Sequence, residues 1–447
     1  MRPTRASITQ GPILPSLLSF FFPILFGACF QQLYGTADAI VVGRFVGSGA
    51  LAAVGGGTTT YINLILGFFI GLTSGAGVIV SQLVGAREKE TVHEAIESGI
   101  ALALVTGAII TVLGLWSARG AMRLIGMPSD IFDISVTYLH IYFIGSIPTM
   151  LYNMGSSILR SMGDSRHPLY ILVIACVANM VLDVLFVAVF KWGIKGAAWA
   201  TVACMSLSAM LVFRYLGKNY EPSFRFVWKD LNLDRKLAGQ MLRIGLPTGV
   251  RGSMYGISNI IIQAALNTLG TTVLAGYTAY SKMDAVFWMI CNSFGVAMTV
   301  FAGQNYGARQ YARIRKANWI SFGICSAITV VLSVFTLAFN RQISNLFTSD
   351  PAVIDVASQI YWIITPIYLS YITLEIMPGT MGGCGQTFIP TLFSIIGICV
   401  VRILWVVFYF PTSPSIFSLM VVYPVSWVVT SVAFWIYYAS GKWLAAK

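Results

Sequence analysis

Long apolar runs recur along the whole chain and decide what it can fold into. Each run holds at least about 18 residues, enough for a helix to cross the roughly 30 Å hydrocarbon core of a bilayer. Only 10% of the 447 residues are charged and the mean hydropathy is +0.78, whereas a soluble domain carries about 25% charged residues. We therefore expect an all-α, multi-pass membrane protein.

The apolar pattern predicts twelve transmembrane spans, at about 14–40, 51–83, 95–116, 131–157, 168–190, 196–214, 244–268, 273–303, 317–339, 357–380, 389–410 and 416–440. The basic residues alternate between the two ends of these spans. Most lie in the N-terminus and in every second loop, whereas one side holds only Arg44, Arg119, Arg123, Lys191, Lys195 and Arg341. The positive-inside rule then places both termini in the cytoplasm.

This distribution explains the net charge of +12 as a consequence of topology. Arg2 and Arg5 near one end and Lys442 and Lys447 near the other fit the cytoplasmic assignment. We therefore expect a multi-pass protein of the cell (plasma) membrane whose surroundings are the lipid bilayer, and we expect no nucleic-acid partner.

The chain contains a duplication. The segment Gln82–Arg87 after span 2 matches Gln304–Arg309 after span 8, and the same offset of 222 residues relates Gly163 to Gly385. Several matches at one offset indicate a repeat. Each half then holds six spans, and an even number gives both halves the same orientation, related by a pseudo-two-fold axis along the membrane normal.

The predicted fold is thus twelve transmembrane helices in two six-helix bundles. Residues 1–217 form the N-terminal lobe, 218–240 a cytoplasmic linker, and 241–447 the C-terminal lobe; the linker is the one long polar stretch. Gly67, Gly71 and Gly75 in span 2 have the GxxxG spacing that lets helix backbones approach closely. Two parallel bundles with a cavity between them is the plan of a transporter.

Other signals limit the chemistry. The seven cysteines lie in or beside apolar spans without a CxxC motif, so we expect core packing. His93, His140 and His167 show no metal-ligand arrangement. The chain has no GxxxxGK[ST] loop for ATP, so energy must come from an ion gradient. A membrane-embedded enzyme would need a nucleophile, a metal or an acid–base cluster near one interface, and the sequence indicates none.

Carboxylates inside spans are the most informative residues for function, because a charge costs roughly 2.5–3.5 kcal/mol at the centre of a membrane helix. Asp38 lies on span 1, Asp183 on span 5 with Asn179 one turn earlier on the same face, and Thr201 on span 6. At about 1.5 Å per helical residue, Asp38, Asp183 and Thr201 lie roughly 9–12 Å below the outer surface, and Asn179 lies one turn deeper.

Oxygen ligands suit a hard cation such as Na⁺, and two close carboxylates suit a shared proton because like charges disfavour double ionisation. Asp38, Asn179, Asp183 and Thr201 are therefore predicted to bind the coupling cation. If the protein is sodium-coupled, this cation is Na⁺ and Asp38 and Asp183 are its charged ligands. Taken alone, Asn179 or Thr201 is more simply explained by an interhelical hydrogen bond.

A third intramembrane acid, Glu375, lies on span 10. Pairing with Arg402 on span 11 or Arg251 on span 7 would make it structural; otherwise it belongs to the substrate cavity. Tyr34 and Gln263 are further candidates for lining that cavity.

The run LYGTADAIVVGRFVGSGALAAVG from Leu33 to Gly55, with its acid at Asp38, resembles the first-span signature of the multidrug and toxic-compound extrusion (MATE) family. The two Gln-x-x-Gly-Ala-Arg repeats and Leu159–Asp164 before Pro168 are similar as well. The resemblance implies efflux of organic cations and other amphipathic drugs in exchange for Na⁺ or H⁺, without a resident cofactor.

It also implies that Asp38, Asn179, Asp183 and Thr201 form the amino-lobe cation site of the bacterial and archaeal branch. We therefore expect a secondary active multidrug efflux antiporter that works as a monomer. The alternative is a lipid-linked-oligosaccharide flippase or polysaccharide exporter of the same superfamily. A cavity for polyanionic headgroups should present several basic residues, and only Arg251, Lys282 and Arg402 are candidates.

Overall fold

A computed structural model describes residues 7–221 and 224–444. Helices make up 88% of the chain, and no strand occurs in the described part. The predicted all-α class is confirmed. Both ends of the chain lie outside the described residues, and with them the predicted cytoplasmic residues Arg2, Arg5 and Lys447. Residues 222–223 of the linker lie outside them as well.

The helices of the first half are α1 Ser7–Gln10, α2 Ile13–Phe45, α3 Ser48–Val54, α4 Gly56–Ala86, α5 Lys89–Leu124, α6 Ser129–Ile144, α7 Ser146–Ser161, α8 Arg166–Asp183 and α9 Ile194–Lys218. Those of the second half are α10 Arg235–Asn267, α11 Thr271–Gly307, α12 Tyr311–Ala338, α13 Asn340–Asn345, α14 Pro351–Ile364, α15 Tyr368–Gly383, α16 Phe388–Ser394, α17 Val401–Leu404, α18 Ile416–Met420 and α19 Val422–Ala439. Short π- and 3₁₀-helical segments join several of them.

Ten helical segments among the described residues are long and apolar enough to cross a membrane, and the bent pair α6–α7 makes an eleventh. The one predicted span left over, the seventh at 244–268, lies in α10, which has 33 residues but carries Arg243 and Arg251 and is therefore less apolar. The described helices are consistent with the predicted twelve-helix, two-bundle architecture.

The fourth predicted span, 131–157, consists of two helices rather than one. It breaks at Gly145, where α6 and α7 meet at a 47° bend. Pro148 lies in the first turn of α7, where its missing N–H is tolerated because N–H groups in the first turn of a helix have no intrahelical acceptor. The break is therefore a local consequence of the Gly145–Pro148 sequence.

The duplication extends to the backbone conformation. Arg87 and Arg309 both adopt positive φ, 63° and 58°, at the ends of α4 and α11. Gly163 and Gly385 do the same, with φ of 98° and 83°. A positive φ is uncommon for a residue with a side chain, so its recurrence at the offset of 222 residues supports a structural repeat.

By packing, the described chain forms two compact units. The first unit holds Phe22–Ser253 with the residues before Gly11, and the second holds Gly11–Phe21 with the residues from Met254 onward. The division therefore falls inside α2, next to Pro23, and inside α10. The lobe boundaries 1–217, 218–240 and 241–447 stay a prediction.

The described part of the linker, which spans residues 218–240, packs against α9 through buried aromatic rings. Phe224 and Phe226 are buried, and the Phe226 ring lies 5.3 Å from that of Phe213. Near its end, the backbone N–H of Asp234 donates a hydrogen bond of 3.0 Å to Ser98 Oγ on α5. The described part of the linker is therefore anchored rather than extended into solvent.

Two of the three GxxxG glycines of α4 allow a close approach to α10. A Cβ at Gly71 would lie 2.3 Å from the backbone N of Gly249, and one at Gly75 would lie 2.2 Å from the carbonyl oxygen of Met241. A Cβ at Gly67 would meet nothing within 4 Å. The packing prediction is confirmed most clearly for Gly71 and Gly75, whereas Gly67 has room for a Cβ even though its carbonyl oxygen faces Gly252 of α10.

This difference gives a matched pair of variants. We expect Gly75→Ala to lower the thermal stability of the purified protein, because overpacking commonly costs about 1–3 kcal/mol. Gly67→Ala should leave it unchanged or raise it, because alanine is favoured over glycine inside a helix by roughly 0.5–1 kcal/mol. Thermal unfolding in detergent, followed by tryptophan fluorescence, measures both. Equal melting temperatures for the two variants would contradict the packing between α4 and α10.

Candidate functional site

The four polar residues predicted to act together lie in the first unit, on α2, α8 and α9; we call Asp38, Asn179, Asp183 and Thr201 the amino-half site. All four are buried, with Asp183 0% and Asn179 1% exposed. Asp38 lies within electrostatic range of Asp183. The structure thus brings the two carboxylates together, as the common depth of the spans predicts.

Most polar atoms of the amino-half site have no hydrogen-bond partner among the described residues. This holds for Asp38 Oδ1, both carboxylate oxygens of Asp183, and both side-chain polar atoms of Asn179. The electrostatic neighbours that act on the two carboxylates do not include a lysine or arginine of the described chain. Buried polar groups are normally hydrogen-bonded because an unpaired one is unfavourable. The arrangement therefore suits a bound proton or hard cation.

Local helix geometry explains how α8 presents its two residues. Asn179 and Asp183 are four residues apart and share one face. Asp183 is also the last residue of α8, and a π-helical segment, Val184–Val189, follows at once. π-helical turns are rare and often occur at functional sites. The wider turn therefore begins at the acid.

The second half repeats the backbone but not the chemistry. A π-helical segment recurs there at Trp405–Tyr409. At the offset of 222 residues, however, Trp405 stands in the place of Asp183, and Tyr423 in that of Thr201. The acid of the amino-half site is thus not required by the helical framework that the two halves share.

Tyrosines surround the amino-half site. Tyr34 Oη lies 3.1 Å from Thr201 Oγ1, so Tyr34, predicted as a cavity residue, contacts the site itself. Tyr138 and Tyr142 on α6 stack at 6.1 Å, and Tyr138 lies within electrostatic range of both carboxylates. The sequence interpretation missed this pair, although its spacing of four residues in an apolar span was a signal.

The other predicted residues lie in the second unit. Glu375 Oε1 accepts a hydrogen bond of 2.9 Å from Tyr371 Oη, and Glu375 Oε2 accepts one of 3.3 Å from Asn292 Nδ2. Gln263 is exposed and its Nε2 donates to Asn267 Oδ1 at 3.1 Å. Their part in a substrate cavity, like that of Tyr34, stays a prediction.

The second unit also holds a charged network around Arg402. Arg402 is buried; its Nε donates to Ser426 Oγ at 3.1 Å, and its guanidinium carbon lies 4.3 Å from the ring centre of Tyr423. Asp284 accepts a hydrogen bond of 3.2 Å from Tyr280 and lies within electrostatic range of Arg402. The network pairs each charge with partners, unlike the amino-half site.

The MatE family model matches residues 23–185 and 247–408. Together these two stretches cover well over half of the chain, and the chain therefore belongs to the MatE family of membrane transporters. One stretch falls in each half, in agreement with the duplication. The family resemblance predicted from the sequence is confirmed.

The names of individual relatives agree with this family assignment. The chain is 27% identical over 443 residues to the "Probable multidrug resistance protein YoeA" of Bacillus subtilis, covering 96% of this chain and 95% of the relative. It is 24% identical over 405 residues to the "Probable multidrug resistance protein NorM" of Thermotoga maritima, covering 88% and 84%.

Solved structures show the same fold. An outward-facing multidrug resistance MATE family transporter of the MOP superfamily superposes with a TM-score of 0.90 at 20% identity, over 100% of both chains. A MOP superfamily transporter from Pyrococcus furiosus gives 0.89 at 20% identity, covering 99% of this chain and 98% of that one. At this identity the likeness concerns the fold.

Proposed function

We propose that the protein is a secondary active multidrug efflux antiporter, acting as a monomer, that exports organic cations and other amphipathic drugs in exchange for Na⁺ or H⁺. The amino-half site supports this most directly, because Asp38, Asn179 and Asp183 hold buried polar atoms that have no hydrogen-bond partner among the residues described. Relatives described as multidrug resistance proteins point to the same substrate class. The lack of an ATP-binding loop in the sequence fits coupling to an ion gradient.

Each residue of the amino-half site has a distinct role in this proposal. Asp38 and Asp183 bind the coupling ion and supply its counter-charge. Asn179 contributes an amide oxygen, and Thr201 contributes a hydroxyl held by Tyr34 and by a 3.1 Å bond to the Ala197 carbonyl. Carboxylate, amide and hydroxyl oxygens are ligands that a hard cation accepts. With H⁺ as the coupling ion, the two carboxylates share the proton instead.

Drug efflux from everted membrane vesicles tests the proposal. Vesicles from cells that express the protein should move ethidium or a fluoroquinolone when a Na⁺ or H⁺ gradient is imposed, and should stop when the gradient is collapsed. Vesicles without the protein serve as the control. Movement that requires ATP would contradict secondary transport. No drug movement under either gradient would contradict multidrug efflux and favour the flippase or exporter alternative.

Topology is a separate part of the proposal, with both termini in the cytoplasm of a plasma-membrane protein. In a variant without native cysteines, a single cysteine at Lys191 should react with an impermeant reagent from outside intact cells. A cysteine at Arg87 or Arg309 should react only after the cells are opened, because the positive-inside rule places those loops in the cytoplasm. Equal labelling of cysteines at Lys89 and Lys191 from outside would contradict this topology.

A further inference from the structure

A second polar cluster lies where the linker crosses the beginning of α5. His93 and Glu97 are one turn apart on α5, and Asp230 belongs to the 3₁₀ helix Trp228–Asp230 of the linker. One imidazole nitrogen and one oxygen from each carboxylate all lie within 4.8 Å of one another. None of the three residues belongs to the amino-half site.

Ordinary ion pairing leaves this cluster unsatisfied. Glu97 is only 6% exposed, and its Oε1 forms an ion-pair contact of 2.9 Å with His93 Nε2. Neither Glu97 Oε1 nor His93 Nδ1 takes part in a hydrogen bond with any described residue. The other charges that act on Glu97 are those of Asp230 and Glu94, both negative. A buried carboxylate facing further acids and a single imidazole is unfavourable. The excess of negative charge calls for a cation.

The donor set indicates which cation. Residues four apart on a helix share a face, so His93 and Glu97 offer nitrogen and oxygen from one side while Asp230 offers oxygen from the other. An imidazole with two carboxylates suits Zn²⁺ and related ions, whereas Mg²⁺ and Ca²⁺ prefer oxygen ligands throughout. Three protein ligands leave one position of a tetrahedral ion for water.

We propose that His93, Glu97 and Asp230 bind a divalent transition-metal ion, Zn²⁺ foremost, that fastens the linker to α5. The linker already contacts α5 nearby through the hydrogen bond from Asp234 to Ser98. An ion held jointly by α5 and the linker binds only when the linker is docked, so it stabilises the docked state. The site is independent of the drug-transport proposal.

Zn²⁺ binding to the full-length protein tests this inference. The protein is purified with a tag that contains no histidine, treated with chelator, and titrated with Zn²⁺ against a chromophoric competitor in excess Mg²⁺. We expect about one tightly bound Zn²⁺ per chain. His93→Ala and Asp230→Asn should each weaken binding by roughly 10- to 100-fold or more, since losing even an outer-shell partner has an effect of that size. Zn²⁺ should also slow proteolysis within the linker.

Matched controls separate the site from unspecific binding. His140→Ala removes a histidine on α6, and Glu221→Gln removes a linker acid that pairs with Lys89 at 3.6 Å; both should bind Zn²⁺ like the unmodified protein. Asp230 is exposed, so Asp230→Asn is expected to fold normally even if His93→Ala does not. Absence of Zn²⁺ binding, or binding that His93→Ala or Asp230→Asn leaves unchanged, would overturn the proposal, as would proteolysis of the linker that Zn²⁺ does not slow.

Discussion

Vesicles containing the Asp183→Asn variant are expected to show ethidium efflux no faster than vesicles without the protein, although the variant inserts and folds. Asp183 is fully buried and neither of its carboxylate oxygens has a hydrogen-bond partner among the described residues. The amide keeps the shape of the side chain but can neither carry a proton nor neutralise a cation. Asp38→Asn should have the same effect, because it removes the other carboxylate of the amino-half site.

The control for these two variants is Asp133→Asn. Asp133 is exposed and pairs with Arg119 at 3.2 Å on the surface, and surface pairs commonly contribute only about 0–1 kcal/mol. Efflux by this variant should match that of the unmodified protein at equal expression. If Asp183→Asn or Asp38→Asn moved drug under an imposed gradient as fast as Asp133→Asn, the amino-half site would not be the coupling site.

The second large effect concerns drug binding to the purified protein. Raising Na⁺ or lowering pH should weaken the binding of ethidium, because an antiporter must not move cation and drug together. A ligand shifts a conformational equilibrium only through its different affinities for the two states. Binding of a cation or proton removes the repulsion between Asp38 and Asp183, so α2 can repack and disfavour the state that binds drug. Fluorescence titrations at several Na⁺ concentrations and pH values measure the effect.

Asp183→Asn provides the internal comparison for that titration. With one carboxylate already neutral, drug affinity should depend much less on Na⁺ and pH than in the unmodified protein. An affinity that stays constant across both titrations in the unmodified protein would rule out competition. So would an equally steep dependence in Asp183→Asn.

The sequence predicted much of the fold because the length of an apolar helix is set by the membrane. The proximity of Asp38 and Asp183 was also predictable, since the loops that adjoin spans 1 and 5 set the two carboxylates at a common depth. Hydropathy did not predict the break at Gly145, because a bend leaves the composition of a span unchanged.

Contacts between segments that are far apart in the chain could not be predicted from the sequence. The GxxxG pattern did not distinguish Gly75, where a Cβ would meet the backbone of α10, from Gly67, where a Cβ would meet nothing within 4 Å. His93 and Asp230 meet because the linker packs against α5. Local spacing carries no information on such pairs, since neither residue lies in the other's helix.

Antiport itself is tested most directly by running the transporter from the drug side. In liposomes that contain the purified protein, an ethidium gradient imposed without any ion gradient should drive Na⁺ or H⁺ in the opposite direction, as recorded by an ion-sensitive dye inside the vesicles. The cation flux should vanish in Asp183→Asn. Drug movement through the unmodified protein with no opposing flux of either cation would contradict the proposed exchange.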